Sequence, residues 1–353
     1  MNQTISCKIH DVAFGGNGVG SVEGKVVFIP FTIPGEIIAA HLIKERPSYA
    51  HARIDFIVQN SPQRVEPRCP YFGQCGGCSY QHMDYGGQLA IKALQVEETL
   101  KRIGRIRRPP MQPIVPSPKQ YGYRNRIRVH VENGKIGFYA FNEHELIDIE
   151  QCPISSEAVN HQLAELRSRG VPDGDYTLAE SHGEFFAQTN DDVAKALVEV
   201  VRALLAPEST TLVDAYCGAG FFAKEFAQKF SKVIGVEENE FAVSHARSVA
   251  QPHENYIAGD VGRHLGTVLS EQDSSKTTLI LDPPATGVEP RVLDVIDACH
   301  PAQVIYVSCN PATLARDLLA PWSGYRLVSV TPLDMFPQTA EIEVVAHLKY
   351  EPS

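Results

Sequence analysis

The sequence predicts a multidomain α/β protein: a small N-terminal β-barrel, a central α+β domain with a cysteine cluster, and a C-terminal doubly wound, Rossmann-like domain. From about residue 181, short apolar strands alternate with helix-like segments, a rhythm typical of a parallel sheet. Residues 1–58 instead hold four or five strands separated by glycine turns, which favours a closed barrel. A chain of 353 residues is longer than a single hydrophobic core usually supports, so several domains are expected.

Three domains are predicted, over residues 1–58, 59–180 and 181–353. The barrel strands are predicted at 5–9, 25–29, 36–43 and 52–59. In the central domain, residues 86–106 have a helical period, and a helix over 86–108 is expected to pack on the C-terminal domain. Residues 123–131 and 134–141 predict a hairpin. The C-terminal strands are predicted at 211–216, 232–237, 255–258, 277–282 and 303–308, with an antiparallel end at 326–332 and 341–349.

Charge is distributed unevenly along the chain. The net charge is −10, yet residues 1–150 hold 18 Lys and Arg against 14 Asp and Glu. Nine basic residues and no acidic one lie between positions 101 and 128: Lys101, Arg102, Arg105, Arg107, Arg108, Lys119, Arg124, Arg126 and Arg128. Such a stretch attracts phosphates and favours structured RNA as the partner. A solvated helix face is the alternative interpretation.

The cysteine content bears on location. The chain has eight cysteines, no N-terminal signal peptide and no apolar run long enough for a membrane span, so a cytoplasmic protein is expected. In that reducing compartment, metal binding and catalysis explain cysteines better than disulfides do. No obligatory protein partner is implied, and a monomer is expected.

A glycine turn marks the candidate cofactor site. Residues 213–222 (VDAYCGAGFF) run from a predicted strand into a predicted helix, where glycines let the backbone approach a ligand. Glu237 ends the next strand, where an acid can hold ribose hydroxyls, and Asp260 follows the third, near where an adenine amine can be read. The spacing also fits the dinucleotide pattern, so a nicotinamide cofactor stays open at this point.

The end of the fourth strand favours a methyl donor instead. Asp282 is followed by Pro283 and Pro284, which lack N–H groups and make a rigid shelf beside a cofactor's reactive group. Methyltransferases use this position in that way. An aromatic residue after the prolines would indicate methylation of an exocyclic amine, but Ala285 stands there.

Cys309, directly after the fifth strand, is the candidate nucleophile. Carbon 5 of uracil does not attack a methyl sulfonium unaided, whereas thiolate addition at carbon 6 makes an enolate that does. A base must then remove the carbon 5 proton. Glu341 and Glu343 share one face of the last strand, and their spacing does not choose between them. A buried small apolar side chain is the alternative for Cys309.

Three cysteines, Cys69, Cys75 and Cys78, lie in one glycine-containing loop. Three thiolates need a fourth ligand for a complete site, and Cys152 and Cys7 are the two candidates outside the catalytic domain. The pattern predicts a metal site. It does not distinguish zinc from an iron–sulphur cluster.

Together these features resemble the RNA uridine-5-methyltransferases that act on transfer and ribosomal RNA. The likeness runs over nearly the full length: a TRAM-like barrel, the cysteine loop, the glycine turn, Asp-Pro-Pro, Ser-Cys-Asn-Pro and Phe-Pro-Gln-Thr, in this order. It implies that S-adenosylmethionine methylates a specific uridine of rRNA or tRNA through a covalent cysteine–uracil adduct. The implied [4Fe–4S] ligands are Cys69, Cys75, Cys78 and Cys152. The implied catalytic residues are Cys309 as nucleophile and Glu343 as base. The implied cofactor contacts are Gln188, Tyr216, Glu237, Asp260 and Asp282.

The sequence also departs from this family. Arg often follows Asp-Pro-Pro there, whereas Ala285, Thr286 and Gly287 follow here, so a basic contact near the target base is missing or supplied elsewhere. Some relatives lack the barrel or the cluster, so neither is essential to the chemistry. Two other classes stay open: a nicotinamide-dependent oxidoreductase with an iron–sulphur domain, and an RNA-binding protein without activity. The first leaves Cys309 and the basic stretch without roles, and the intact motifs around Asp282 and Cys309 argue against the second.

Overall fold

The computed structural model describes residues 4–141, 144–180 and 188–351. The chain divides into two compact units. The first comprises Met1–Gln95, Ser117–His182 and Phe336–Glu341, and the second comprises Val96–Pro116, Gly183–Met335 and Ile342–Ser353. Within the described ranges, the helices are all too short or too polar to cross a lipid bilayer.

Five strands of the first unit close into a barrel in the order β1-β2-β3-β5-β4, as the sequence predicts. They are β1 (Thr4–Val12), β2 (Asn17–Val22), β3 (Lys25–Pro30), β4 (Ile37–Glu45) and β5 (Tyr49–Gln59). Strand β2 was not predicted, because its glycines resemble turn residues. Packing explains two of them: a Cβ at Gly18 would collide with Thr32, and one at Gly20 with Cys7.

The rest of the first unit combines a four-stranded sheet, in the order β8-β7-β6-β9, with helices. The elements are α1 (Tyr85–Arg102), β6 (Arg126–Glu132), β7 (Lys135–Tyr139), β8 (Leu146–Asp148), α2 (Glu157–Arg169) and β9 (Gly174–Ala179). The predicted hairpin is confirmed, since β6 and β7 pair across Asn133 and Gly134, which both have positive φ. Apolar residues of α2 pack on one face of this sheet with Val129, so Arg126 and Arg128 project from the other.

Helix α1 is shorter than predicted. It ends at Arg102 because Arg105 adopts a left-handed conformation, with φ of 55°, and the Ile106 N–H turns back to the carbonyl of Leu100 at 3.1 Å. The Gly104 N–H also donates to the carbonyl of Thr99 at 3.4 Å, so N–H groups beyond the last helical residue satisfy carbonyls of the final turn. Val96 and Leu100, in the second half of α1, lie in the core of the second unit.

The second unit is built on a seven-stranded sheet in the order β12-β11-β10-β13-β14-β16-β15. The strands are β10 (Thr211–Ala215), β11 (Lys232–Glu237), β12 (Glu254–Ala258), β13 (Thr277–Leu281), β14 (Gln303–Ser308), β15 (Tyr325–Leu333) and β16 (Glu343–Tyr350). The helices are α3 (Asp191–Leu204), α4 (Phe221–Phe226), α5 (Glu240–Ser248), α6 (Val261–Ser270), α7 (Pro290–Cys299) and α8 (Pro311–Asp317). The first five strands are parallel, and β16 runs antiparallel to β14 and β15. The doubly wound fold and its antiparallel end are therefore confirmed.

An acidic side chain is buried in the central strand β10. Asp214 is fully buried, one carboxylate oxygen accepts the Ala223 N–H at 2.9 Å, and the other has no hydrogen-bond partner among the described residues. Burial raises the pKa of Asp214 to about 8; the Ala223 amide opposes the rise, and the charges of Asp282 and Glu237 add to it.

Asp214 should make this unit less stable as pH rises. Its folded-state pKa lies above the unfolded value of about 3.9, so between these values the folded state binds more protons and the free energy of unfolding falls with increasing pH. Asn at position 214 keeps an acceptor for Ala223 but does not ionise. The free energy of unfolding of Asp214→Asn, measured by urea unfolding, should therefore fall less than that of wild type between pH 5 and pH 8. Asp294→Asn, at an exposed position, is the control and should show the pH dependence of wild type. The prediction would be contradicted if the free energy of unfolding of Asp214→Asn fell with pH as steeply as that of wild type.

Candidate active site

The parallel strands of the second unit all end at one edge of the sheet. Five predicted site residues lie at those ends or within two residues of them: Tyr216 after β10, Glu237 in β11, Asp260 after β12, Asp282 after β13 and Cys309 after β14. The edge beyond the carboxyl ends of parallel strands is where open α/β sheets bind ligands. The register of the sheet therefore gathers residues that are up to 93 positions apart in the sequence.

The turn after β10 has an unusual backbone. Tyr216, Gly218 and Gly220 all have positive φ, at 65°, 53° and 88°. The N–H groups of Tyr216 and Cys217 donate to the carbonyl of Val236, at 2.8 and 3.2 Å, which holds the turn against β11. A left-handed tyrosine is strained, and strain of this kind persists where the surrounding structure enforces it. Burial raises the pKa of Tyr216 to about 12, so its hydroxyl stays a neutral donor at physiological pH.

Glu237 is fixed by backbone amides on both carboxylate oxygens. Gly218 N–H donates to Oε2 at 3.0 Å and Asn239 N–H to Oε1 at 2.8 Å. The carboxylate is partly exposed. It is therefore oriented by the glycine turn itself and can still accept hydrogen bonds from a ligand.

Asp260 has two structural partners. Its side chain caps α6 by accepting the Arg263 N–H at 2.9 Å, and its second oxygen accepts Nη2 of Arg291, also at 2.9 Å. A carboxylate offers about four acceptor positions, so the predicted contact with an adenine amine has room here. Arg291, which no sequence pattern selected, is the side chain that orients this acid.

Asp282 begins a rigid loop. Its N–H donates to the carbonyl of Ala215 at 3.3 Å, and burial raises its pKa. The carbonyl of Ala285 accepts Nδ2 of Asn310 at 3.1 Å and Oγ1 of Thr313 at 3.2 Å. The loop after Asp-Pro-Pro is thus pinned to the segment that follows Cys309.

Arg316 supplies a basic group beside this loop, where the sequence shows none. Its Nη2 donates to the carbonyl of Thr286 at 2.9 Å and to Asp317 at 2.7 Å. Asp317 is buried and also accepts the Tyr306 hydroxyl and the Val288 N–H. Sequence reasoning missed this network because its members come from β14, α8 and the loop between β13 and α7.

Cys309 and Glu343 are brought together by strand pairing. Cys309 is exposed, and β14 pairs with β16 up to Ser308 opposite Val344. Cys309 and Glu343 each lie one position beyond this last pair, Cys309 just after β14 and Glu343 at the start of β16, so strand pairing brings both to the same edge of the sheet. Glu343 is buried, at 4% exposure, whereas Glu341 is exposed and lies outside β16.

Gln188 is the one predicted cofactor contact that does not follow a strand of this sheet. It is buried just before α3, whose cap Asn190 accepts the Val193 N–H at 3.3 Å and donates to the carbonyl of Met335. The buried hydroxyl of Thr189 has no hydrogen-bond partner among the described residues. Residues 185–187 of the motif that selected Gln188 lie outside the described residues.

The four predicted cluster cysteines are near one another in the first unit. All eight cysteines are free. The pKa of Cys75 is raised to about 11 and that of Cys78 to about 12, mainly by burial and further by the charges of Cys152 and Cys69. Cys7 is instead buried in the barrel core. Cys152, rather than Cys7, is therefore the fourth thiol of this group.

Hydrogen-bond donors surround these thiols. Gly77 N–H donates to Sγ of Cys75 at 3.4 Å. The buried Gln81 side chain accepts the Cys69 N–H at 3.1 Å, while its Nε2 has no partner within the described ranges. Among the residues that the structure describes, no three His, Cys, Asp or Glu side chains are arranged to hold one metal ion.

Several cations of the basic stretch are paired. Lys101 and Arg102, at the end of α1, form ion pairs with Glu97 and Glu98. Arg128 pairs with Asp175 on the neighbouring strand. Exposed cations that flank these pairs include Arg105, Arg107 and Arg108.

Two family models match the chain. Residues 263–351 match the tRNA (uracil-5-)-methyltransferase family, and residues 2–54 match the TRAM domain. The first match includes Asp282, Cys309 and Glu343, and the second covers most of the barrel.

Relatives match over nearly the whole length. An uncharacterized RNA methyltransferase of Thermosynechococcus vestitus is 31% identical over 438 aligned positions, covering 98% of this chain and 98% of the relative. One of Bdellovibrio bacteriovorus is 32% identical, covering 99% and 96%. Among solved structures, a tRNA (uracil-54, C5)-methyltransferase of Pyrococcus abyssi, in complex with S-adenosyl-L-homocysteine, is 24% identical with a TM-score of 0.71 and covers 97% of this chain and 99% of that chain.

The structural likeness confirms the predicted fold class, an N-terminal barrel followed by a methyltransferase-type α/β unit. The two relatives above 30% identity, both RNA methyltransferases, show the family of the whole chain. Together with the two matching family models, they show that this chain belongs to the RNA methyltransferases that join a TRAM domain to a tRNA (uracil-5-)-methyltransferase domain.

Proposed function

We propose that this chain transfers a methyl group from S-adenosylmethionine to carbon 5 of one uridine in rRNA or tRNA, through a covalent adduct with Cys309. The observation that carries the proposal is the β14–β16 register: its last pair is Ser308 with Val344, so Cys309 and Glu343 both lie one position beyond it, at the sheet edge where β13 also delivers Asp282. Mapping 5-methyluridine in both RNA classes from a strain that lacks the gene would identify the target.

The cofactor residues support S-adenosylmethionine. Glu237 is oriented by two backbone amides and stays partly exposed, as a ribose-binding acid requires. Asp260 retains acceptor capacity beside it. Tyr216 and Gln188 are the remaining proposed contacts, with Asp282 beside the sulfonium end. Once bound, this cofactor supplies an electrophilic methyl group. The nicotinamide interpretation, in contrast, has no support from the family.

Each proposed catalytic residue has one chemical task. The Cys309 thiolate forms a bond to carbon 6 of the uracil, and the electrons of the 5,6 double bond move onto carbon 5 and the carbonyl oxygen at position 4. Carbon 5 then takes the methyl group. Glu343 removes the carbon 5 proton, the electron pair re-forms the double bond, and the carbon–sulphur bond breaks to release the thiolate. The target base must leave its stack to reach Cys309.

Glu343 suits the task of base better than Glu341. A general base must lie within reach of the proton that it removes. The β14–β16 pairing brings Glu343 to the sheet edge where Cys309 lies. Burial also shields the carboxylate from competing water. Glu341, exposed and outside the strand, has neither property.

The cysteine group supports a [4Fe–4S] cluster on Cys69, Cys75, Cys78 and Cys152. Four neighbouring thiols, one of which accepts the Gly77 N–H, match the needs of cluster ligands, whose sulphurs are stabilised by hydrogen bonds. A cytoplasmic location remains a prediction.

Cys309→Ala should abolish methyl transfer and spare S-adenosylmethionine binding, because only the nucleophile is lost. Glu343→Gln should add to the uracil and take the methyl group but retain the carbon 5 proton, so a covalent enzyme–RNA adduct should accumulate on denaturing gels. RNA with 5-fluorouridine at the target should trap wild-type enzyme in the same way. Glu341→Gln is the matched control and should turn over without adduct.

Two outcomes would contradict this chemistry to different extents. An adduct with Glu341→Gln and normal turnover by Glu343→Gln would move the base to position 341. Activity of Cys309→Ala, with no adduct from fluorinated RNA, would exclude Cys309 as the nucleophile.

Protein purified without oxygen should be brown and contain about four irons and four sulphides per chain. Cys152→Ser should lose this iron, because it removes one of four ligands. Cys299→Ser, a change to a thiol outside the group, should retain it. Elemental analysis that found one zinc per chain and no iron would exclude the cluster.

Substituting Arg124, Arg126 and Arg128 by Ala should weaken RNA binding and flatten its salt dependence by up to about 0.9 in log–log slope per lost phosphate contact. Cofactor affinity should be unchanged. Arg169→Ala, on the helix that covers the opposite face of the same sheet, is the control. A wild-type salt slope in the triple variant, measured by filter binding, would show that this face lies away from the RNA.

A further inference from the structure

Residues 336–341, which carry the Phe-Pro-Gln-Thr motif, are held by fixed donors of the first unit. The Lys92 ammonium donates to the carbonyl of Phe336 at 2.9 Å, and the Tyr123 hydroxyl donates to the carbonyl of Pro337, also at 2.9 Å. Lys92 is fully buried. A buried cation is costly unless it is well bonded, so its bond to this carbonyl indicates a strongly determined position for the segment.

Gln338 is the most constrained residue of the segment. Its φ is 72°, a left-handed conformation that is unfavourable for glutamine. Its carbonyl accepts two backbone N–H groups, from Ser79 at 3.0 Å and Tyr80 at 2.9 Å. Ser79 and Tyr80 directly follow Cys78, so the end of the cysteine loop holds Gln338 in place.

Gln88, on α1, completes this arrangement with a reciprocal pair of hydrogen bonds. Its Oε1 accepts the backbone N–H of Gln338 at 3.0 Å, and its Nε2 donates to Oε1 of Gln338 at 3.1 Å. The same Nε2 donates to the carbonyls of Tyr80 and Met83. Gln88 is buried, at 1% exposure. One side chain therefore fixes both the backbone and the side chain of Gln338.

The held segment leads directly into the proposed catalytic base. Strand β15 ends at Leu333, β16 begins at Glu343, and these two residues form the last pair of their ladder. Terminal pairs of a ladder are the first to open, so the position of such a residue depends on how its connecting loop is anchored. Gln338 lies in the middle of that loop.

We propose that Gln88 is a positioning residue for the base Glu343: by fixing Gln338, it holds the 334–342 connection in the form that keeps Glu343 at the sheet edge where Cys309 lies. This inference rests on the proposed function. It assigns Gln88 to one step of the reaction, the removal of the carbon 5 proton that precedes release of the thiolate. Thiolate addition and methyl transfer do not need Glu343 and should be spared.

The chain offers a matched control on the same helix. Gln95 is also buried, and its Nε2 likewise makes three hydrogen bonds, to the carbonyls of Val12 and Ala13 and to the Tyr80 hydroxyl. These three bonds go to the barrel and to Tyr80 rather than to residues 336–341. Substitution of either glutamine by Met removes a similar set of bonds at nearly constant volume, so a purely structural effect should be shared by both variants.

The test uses full-length enzyme and transcripts of rRNA and tRNA, made with uridine or with 5-fluorouridine. Gln88→Met should form the fluorinated adduct at a rate close to wild type, but release the methylated uridine product about ten to a hundred times more slowly, as expected for a displaced catalytic group. A covalent adduct with ordinary uridine RNA should therefore accumulate on denaturing gels. Gln95→Met should show no such accumulation.

A second variant tests the same inference at Gln338, the residue that Gln88 binds. Gln338→Gly retains the backbone bonds and suits the positive φ, so it should fold, but it loses the side-chain bond to Gln88 and should also accumulate the adduct. The inference is overturned if Gln88→Met and Gln338→Gly release product as fast as Gln95→Met. Absence of a fluorinated adduct from wild-type enzyme would instead refute the proposed function itself.

Discussion

The antiparallel insertion of β16 between β14 and β15 is the constraint on which the candidate site depends. Parallel strands alone deliver their carboxyl ends to one edge, and with them Cys309 and Asp282. A base on the same edge must come from a strand that starts there. Because β16 runs the other way, its first residue, Glu343, meets the end of β14. One reversed strand thus brings the proposed nucleophile and the proposed base to the same edge of the sheet.

Several polar groups at the ligand edge of the sheet are held by hydrogen bonds within the protein. Glu237 is held by two amides, and the loop after Asp-Pro-Pro is pinned by Asn310 and Arg316. Groups that are oriented before a ligand arrives need no reorganisation when charge develops in the reaction. The buried Asp214 reduces the stability of the unit at high pH, a cost that the strand tolerates beside the glycine turn it supports.

The cysteine loop and the Phe-Pro-Gln-Thr motif are adjacent parts of one structure rather than separate sites. The amides that follow Cys78 bind the carbonyl of Gln338. A disturbance of the loop would therefore reach the connection before β16.

The sequence by itself determined the fold class and most of the candidate residues. Strand–helix alternation, Asp282 with its two prolines and Cys309 after a strand are local patterns, and backbone preference or burial dictates them within a short window. Strand β2 was missed because its glycines are required by close packing against residues outside the strand, and a short stretch of sequence does not reveal such contacts. The family resemblance already implied Glu343 and Cys152, and the tertiary structure adds physical reasons for both, since Glu343 is buried in β16 and Cys7 lies in the barrel core. Only the tertiary structure joined Arg316, Asp317 and Gln88 to their partners. These pairings depend on register and on contacts between residues far apart in the chain, and no local spacing encodes such contacts.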